Sequence, residues 1–303
     1  MAFFDYIKNI FLLLIFLLFA PGLVEGIRTQ YGLFMTQKTR VGIIKIRGDL
    51  DHSARLFKQM YTLFSDNTVK AILLNIESCG GAAGTGQALA LEILTLKKRY
   101  PKPIITLTEN VCTSGAYYIA SATDYIISSG QALIGSIGSR LPHLFQFNSV
   151  LEKYDIGYTS IKAGTYKGTT DPFLSIDQAG KEQLQSIVND SYEQFVQDVA
   201  HNRKLALQNA EQWADGKIFT GRQAKELNLI DEIGASSQAI AYIKDKQLIE
   251  GDIDWVAVEP ETSFLQRLIS SDDEDCGLLN SSSNTVSNLI KKICLRSPQA
   301  RLE

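Results

Sequence analysis

Three short segments of this chain carry residue types that could perform acyl transfer. Val111-Cys112-Thr113-Ser114-Gly115-Ala116-Tyr117-Tyr118 follows a strand-like run and opens a helix-like one. At such a corner a serine hydroxyl is pushed clear of the sheet, beside backbone amides that no helical turn satisfies. Ile76-Glu77-Ser78-Cys79-Gly80-Gly81 ends an earlier strand-like run in a Gly-Gly turn, and Ala163-Gly164-Thr165-Tyr166-Lys167 supplies a lysine. A small-residue helix start packed on a sheet would also read Ser-Gly-Ala, so the weight falls on the three segments together: a hydroxyl, a base and a turn.

A serine attacks only when a base accepts its proton. His52 and His201 fall in helical stretches and read as surface residues, while His143 follows Pro142 and could fold back on Ser114, which keeps a Ser-His arrangement open. A lysine serves as base only when neutral near pH 7. Bringing its ordinary value of about 10.4 down to about 7 costs on the order of 4 kcal/mol, which a dehydrated pocket can supply. Tyr166, Pro172 and Phe173 give Lys167 such company, and Lys162 has none. The tetrahedral intermediate needs amide donors, and the N–H groups of Gly81 and Gly115 form the natural pair. A phosphate loop is the competing reading of the glycines, but Ser-Cys-Gly-Gly-Ala-Ala-Gly lacks the Gly-Lys-Ser/Thr ending and the dinucleotide spacing. No His/Cys/Glu cluster has ligand spacing, so neither a metal nor an organic cofactor is implied.

The surrounding pattern alternates strand and helix. Val41 to Ile46 reads as a strand, His52 to Phe64 as a helix through Leu56, Met60 and Leu63, and Val69 to Ile76 as a strand of the fully buried type. Thr85 to Lys98 is helical with Leu89, Ile93 and Leu96 on one face, followed by strands at Ile104 to Leu107 and Tyr125 to Ser128. Short joints of this kind predict an α/β fold, a parallel sheet covered by helices, with ligands at the edge where strands end and helices begin. Asp177 to Arg203 is one long amphipathic helix whose stripe, Leu184, Ile187, Val188, Tyr192, Phe195 and Val199, reads as core or subunit interface. Thr220 to Leu227 starts with an N-cap residue, and Leu229 to Gly234 reads as a short strand and turn.

The 303 residues carry a net charge of -3, which offers no broad attraction for phosphate backbones and argues against nucleic acid as a partner. Ile10 to Ala20 is unbroken hydrocarbon and aromatic, so residues 1–26 read as a membrane anchor, with a cleaved signal peptide as the alternative. Residues 27–260 form the expected catalytic domain. From Glu261 the composition turns to Ser, Asn and Asp, so 261–303 reads as a mobile tail, within which Val286, Leu289, Ile290 and Ile293 could form one short amphipathic helix. Of the four cysteines, Cys276 and Cys294 lie in that tail; Cys79 and Cys112 flank the presumed site and read as thiols, a bridge between them being the alternative.

Together these segments resemble the signal peptide peptidase A family of Ser-Lys proteases. Ile76 to Gly81 is similar to that family's Asn-Ser-Pro-Gly-Gly turn, Thr113 to Tyr118 to its nucleophile motif and Gly164 to Lys167 to its lysine motif; Ile134-Gly135-Ser136-Ile137-Gly138 resembles a further segment. The resemblance runs from Val41 to Gly234 in the family's order. It implies Ser114 as nucleophile, Lys167 as general base, Gly81 and Gly115 as the oxyanion donors and Ser136 as the residue that orients the lysine. It also implies a ClpP/crotonase-like fold of repeated ββα units and a single-pass protein of the cytoplasmic membrane whose catalytic body faces away from the cytoplasm. The implied substrates are hydrophobic peptides left by signal-peptide release. Lys8 set against Arg28, Lys38 and Arg40 leans toward the opposite orientation, and the expectation follows the resemblance. Relatives of this length resemble ring-shaped homo-oligomers in which the serine of one subunit meets the lysine of the next, which makes the long helix and the Tyr166 loop interface elements. Cys79 departs from the family's proline and puts the geometry of the oxyanion turn in question. Three other readings stay open: a catalytically silent membrane scaffold, a ClpP-like Ser-His protease using His143, and a crotonase-type acyl-CoA enzyme.

Overall fold

The computed structural model describes residues 38–258 except 52, 142, 248 and 250, together with 7, 8, 11, 13, 15, 16 and 18–26. Strand and helix alternate through the first half: Thr39–Leu50 (β1), Ala54–Ser65 (α1), Val69–Gly81 (β2), Ala83–Arg99 (α2) and Ile104–Thr108 (β3). Val111–Thr113 (β4), Gly115–Ser121 (α3), Tyr125–Ser128 (β5) and Leu133–Gly135 (β6) complete it. The second half holds Asn148–Lys153 (α4), Gln178–Arg203 (α5), Ala210–Trp213 (α6), Ile218–Thr220 (β7), Gly221–Glu226 (α7), Glu232–Ile233 (β8), Ser236–Gln247 (α8) and Ile253–Ala257 (β9).

The long strand β2 organises the sheet because it pairs with three neighbours. Its first half lies parallel between β1 and β3, and its last turn reaches across to β4 through the Ser78–Cys112 pair. From β3 the sheet continues parallel through β5 to β8; from β4 it continues parallel to β6 and closes on the antiparallel β7. Strand β9 adds a parallel edge outside β1. The result is the α/β arrangement expected, a mostly parallel sheet with helices, and β7 is its antiparallel exception.

Period-two alternation accounts for the burial of both faces. Ile44, Ile72, Leu74, Ile76, Ile104 and Ile126 point into the larger core with α1, α2, α3 and the end of α5. Val41, Ala71, Leu73, Ile105, Leu107 and Ile127 point the other way, onto Ala239 and Ile243 of α8. A strand with apolar partners on both sides reads as a near-continuous hydrophobic run, which is how Val69 to Ile76 stood out through Ala71 to Leu74.

Local signals end several elements where expected. The Asp177 carboxylate accepts from the Gly180 amide at 2.7 Å and starts α5, and Thr220 with Gln223 forms a capping box on α7. The stripe of α5 divides: Phe195 and Val199 are buried, whereas Ile187 in its first half is exposed. Residues 18–26 are helical, with Leu18, Phe19, Leu23 and Val24 exposed. Among the described residues no helix is long and apolar enough to cross a membrane. His52, much of the 1–26 segment, and the tail 261–303 with Cys276, Cys294 and the Val286 to Ile293 stripe lie outside the described residues.

Candidate active site

Ser114 is the single residue between β4 and α3, and its backbone is strained. It holds φ 53° and ψ −127°, a conformation that costs a non-glycine residue about 1–3 kcal/mol. Two backbone hydrogen bonds hold it there: its amide donates to the Gly135 carbonyl at 2.7 Å, and its carbonyl accepts from the Tyr118 amide at 3.0 Å. The register that pairs Thr113 with Gly135 puts Ser136 one strand over, also at positive φ (51°), with its amide donating to the Lys217 carbonyl at 2.7 Å. Ser114 and Ser136 therefore sit on adjacent strand ends.

Close approach of backbones fixes the turn beside them. Gly80 has φ 101°, and a Cβ there would lie 2.8 Å from both the Gly115 nitrogen and the Ser114 Cβ. The Gly81 nitrogen is 3.6 Å from the position a Cβ would take on Gly115, so the two amides expected to serve an oxyanion share one corner. The Ser78 hydroxyl donates to the Gly48 carbonyl at 2.5 Å and accepts from the Gly80 amide at 3.1 Å, and the Thr113 hydroxyl donates to the Cys79 carbonyl at 3.1 Å. The turn thus holds its shape with Cys79 in place of proline. Gly80→Ala is expected to lower the unfolding free energy by about 2 kcal/mol or more, measured by urea titration, because backbone atoms on both sides must give way.

Glu77 is a positioning residue that the sequence reading did not single out. Its carboxylate accepts from the amides of Glu109 at 2.6 Å, Asn110 at 3.0 Å and Val111 at 3.1 Å, fastening the bend between β3 and β4 to the end of β2. Charge-assisted bonds of this kind set where Ser114 begins. Glu77→Ala is expected to cost about 1–2 kcal/mol in the same titration, since water can replace the carboxylate at the exposed Glu109 and Asn110 amides.

Ser114 opens into a cleft of about 110 Å³ between α2, α3 and α5, whose lining includes Gly84, Gln87, Tyr118, Gln194 and Phe195. Tyr118 stacks on Phe195 with ring centroids 4.3 Å apart, and its hydroxyl donates to Asp198. Burial first, and then the bond to Asp198, push the Tyr118 phenol well above its ordinary range, so it stays neutral. Tyr117 faces the other way, and its hydroxyl donates to the Leu229 carbonyl at 2.7 Å in the core. The polar residues of this cleft left one trace in the sequence: Ser191 and Gln194, three apart, share the border of the α5 stripe.

Among the described residues no lysine or histidine lines the Ser114 cleft within one chain. Lys167 stands on the turn over 165–170, its amide donating to the Gly164 carbonyl at 3.1 Å, exposed and outside the cleft lining. The shelter expected from Tyr166, Pro172 and Phe173 is missing because their segment, 143–176, stands off the core. Within it Phe173 packs on Phe147 and Tyr158, while Phe145, Tyr154, Ile156 and Tyr166 are exposed and Ile161 is 98% exposed. His143 and His201 are exposed as well, and neither lines the cleft. Cys79 is exposed and Cys112 buried, both as thiols; burial, then the Glu77 charge, hold the Cys112 thiol far above its ordinary range.

With this geometry in view, comparison with known proteins is decisive at the level of family. The model of peptidase family S49 matches residues 97–250, more than half of the chain, a span that contains Ser114, Ser136 and Lys167. The chain belongs to peptidase family S49. Its relatives include a Methanocaldococcus jannaschii protein with a provisional protease designation, 36% identical over 182 residues, which are 60% of this chain and 58% of that protein. An Enterococcus faecium protein provisionally designated a signal peptide peptidase is 31% identical over 196 residues, 64% of this chain and 56% of the relative. The chloroplastic serine protease SPPA of Arabidopsis thaliana is 28% identical over 208 residues, 68% of this chain and 30% of that protein. The chain thus spans a little over half the length of the first two relatives.

Proposed function

We propose that this chain is a membrane-tethered serine endopeptidase in which Ser114 of one subunit and Lys167 of its neighbour form the catalytic pair in a ring-shaped homo-oligomer. The observation that carries the reading is the strained Ser114 at a strand-to-helix corner, open to a cleft and flanked by the amides of Gly81 and Gly115. The Ser114 Oγ attacks a peptide carbonyl while the Lys167 amine takes its proton. The oxyanion draws on the Gly81 and Gly115 N–H groups. Lys167 then protonates the leaving amine, and water releases the acyl-enzyme by the reverse sequence. Ser136 takes the role of orienting the lysine amine, a reading supported by its position on the strand end beside Ser114.

Exposed apolar side chains support the assembly. The 143–176 segment and α5 present Phe145, Tyr154, Ile161 and Ile187 to solvent, large apolar side chains that association would cover. Burial against a neighbour would also dehydrate Lys167, as a basic amine requires. The tether is residues 1–26, supported by the exposed Leu18, Phe19, Leu23 and Val24; the catalytic domain is 27–260, on the far side of the cytoplasmic membrane, and 261–303 is a tail. The fold is the ClpP/crotonase-like type, and the substrates are hydrophobic peptides such as signal-peptide remnants, in keeping with the designation of the Enterococcus relative.

A fluorophosphonate probe tests the reading on detergent-solubilised full-length protein. Covalent labelling at Ser114, located by mass spectrometry of the labelled peptide, is the expected result. An oligomer that leaves Ser114 unlabelled would point instead to a silent scaffold.

A further inference from the structure

Two side chains that line the cleft beside Ser114 meet from facing helices. Gln87 on α2 donates from Nε2 to Oε1 of Gln194 on α5 at 3.0 Å. Gln194 is itself held, since its Nε2 donates to Asp190 one turn earlier at 2.7 Å. Gln87 also reaches the Tyr118 hydroxyl, which is fixed on Asp198. The ring stack of Tyr118 and Phe195 gives the same cleft an apolar wall.

We propose that the Gln87–Gln194 pair is a specificity clasp that admits a short aliphatic substrate side chain to the Ser114 cleft and turns an aromatic one away. The proposal rests on Ser114 being the nucleophile. The cleft holds about 110 Å³, less than the roughly 150 Å³ of an engineered apolar cavity that accepts benzene. A phenyl ring enters only if the two amides part, which breaks the 3.0 Å bond between them and moves Gln87 away from the Tyr118 hydroxyl. A methyl or isobutyl group is small enough for the cleft with the pair intact, and the Tyr118 and Phe195 rings offer it apolar contact. The side chain concerned belongs to the residue that supplies the attacked carbonyl, because its Cα is bonded directly to the carbon that Ser114 attacks, one bond nearer than the Cα of the leaving residue.

The test uses full-length protein and peptides identical except for Ala, Leu or Phe at one position, with the cut located by mass spectrometry. The parent is expected to cut after Ala and Leu with kcat/KM at least about tenfold above Phe. Gln87→Ala and, independently, Gln194→Ala are expected to bring Phe within threefold of Leu. Gln194 is exposed, so its truncation leaves the core untouched. A parent that cuts after Phe as fast as after Leu, or a Phe-to-Leu ratio unchanged within twofold in both variants, overturns the clasp. Ser114→Ala run on the same peptides separates the two ideas: cleavage that survives it removes the nucleophile assignment, while an unchanged ratio with a silent Ser114→Ala removes only the clasp.

Discussion

Ser114→Ala and Lys167→Ala are each expected to lower peptide hydrolysis by roughly 10⁴-fold or more in folded, oligomeric protein, while His143→Ala keeps most of the parent rate. Residues that act as one unit in bond making fail together, so either loss removes nearly the whole covalent route. The serine variant loses the attacking oxygen. The lysine variant keeps the oxygen at its strained corner but has nothing to take its proton, so it should lose fluorophosphonate labelling with hydrolysis. His143 gives the contrast. It is exposed and lines no part of the cleft, and its removal takes nothing from Ser114. Initial rates with one fluorogenic peptide, beside urea midpoints to confirm folding, decide the matter. A dead His143→Ala protein with an active Lys167→Ala one would hand the base role to the histidine.

What the sequence disclosed and what it withheld divide along physical lines. Val69 to Ile76 and Tyr125 to Ser128 announced themselves because a strand with two apolar faces carries a near-continuous apolar run, Ala71 to Leu74 in one and Tyr125 to Ile127 in the other. The three-residue strands β4, β6 and β7 could not, since three residues carry no period. Yet β4 and β6 set Ser114 beside Ser136, and the matching positive φ of the two serines comes from sheet register that lies outside any local window. Ser114 and the Gly-Gly turn were legible because an elbow and a tight turn need particular residue types in a fixed order. Glu77 was not, because what it holds, the amides of 109–111, is distant in sequence and accepts any carboxylate at the right spot. Gln87 and Gln194 were hidden for the same reason: their meeting depends on how α2 crosses α5. Lys167 was found by motif, but its surroundings were misjudged. Tyr166 and Phe173 suggested a buried neighbourhood, and the single chain turns them outward.

That outward turn makes the most demanding prediction one of complementation. Ser114→Ala and Lys167→Ala proteins, each inactive alone, are expected to regain activity when their subunits are mixed and allowed to exchange. If every site takes its serine from one subunit and its lysine from the next around a ring, random mixing in equal amounts leaves about a quarter of the sites with both groups intact. Recovery should therefore approach about 25% of the parent rate, and labelling should appear only on the subunits that carry Ser114. If instead the 143–176 segment folds back onto its own chain in the working protein, every site in the mixture lacks one group and the rate stays at the background of the separate variants. The apolar outcrop decides which outcome the physical chemistry favours. Phe145, Tyr154, Ile156, Ile161 and Tyr166 bury little against their own core, so the free energy available from covering them is released when a neighbouring subunit closes over the segment. The same contact that shields those side chains would strip water from the Lys167 amine, which ties the chemistry to the assembly.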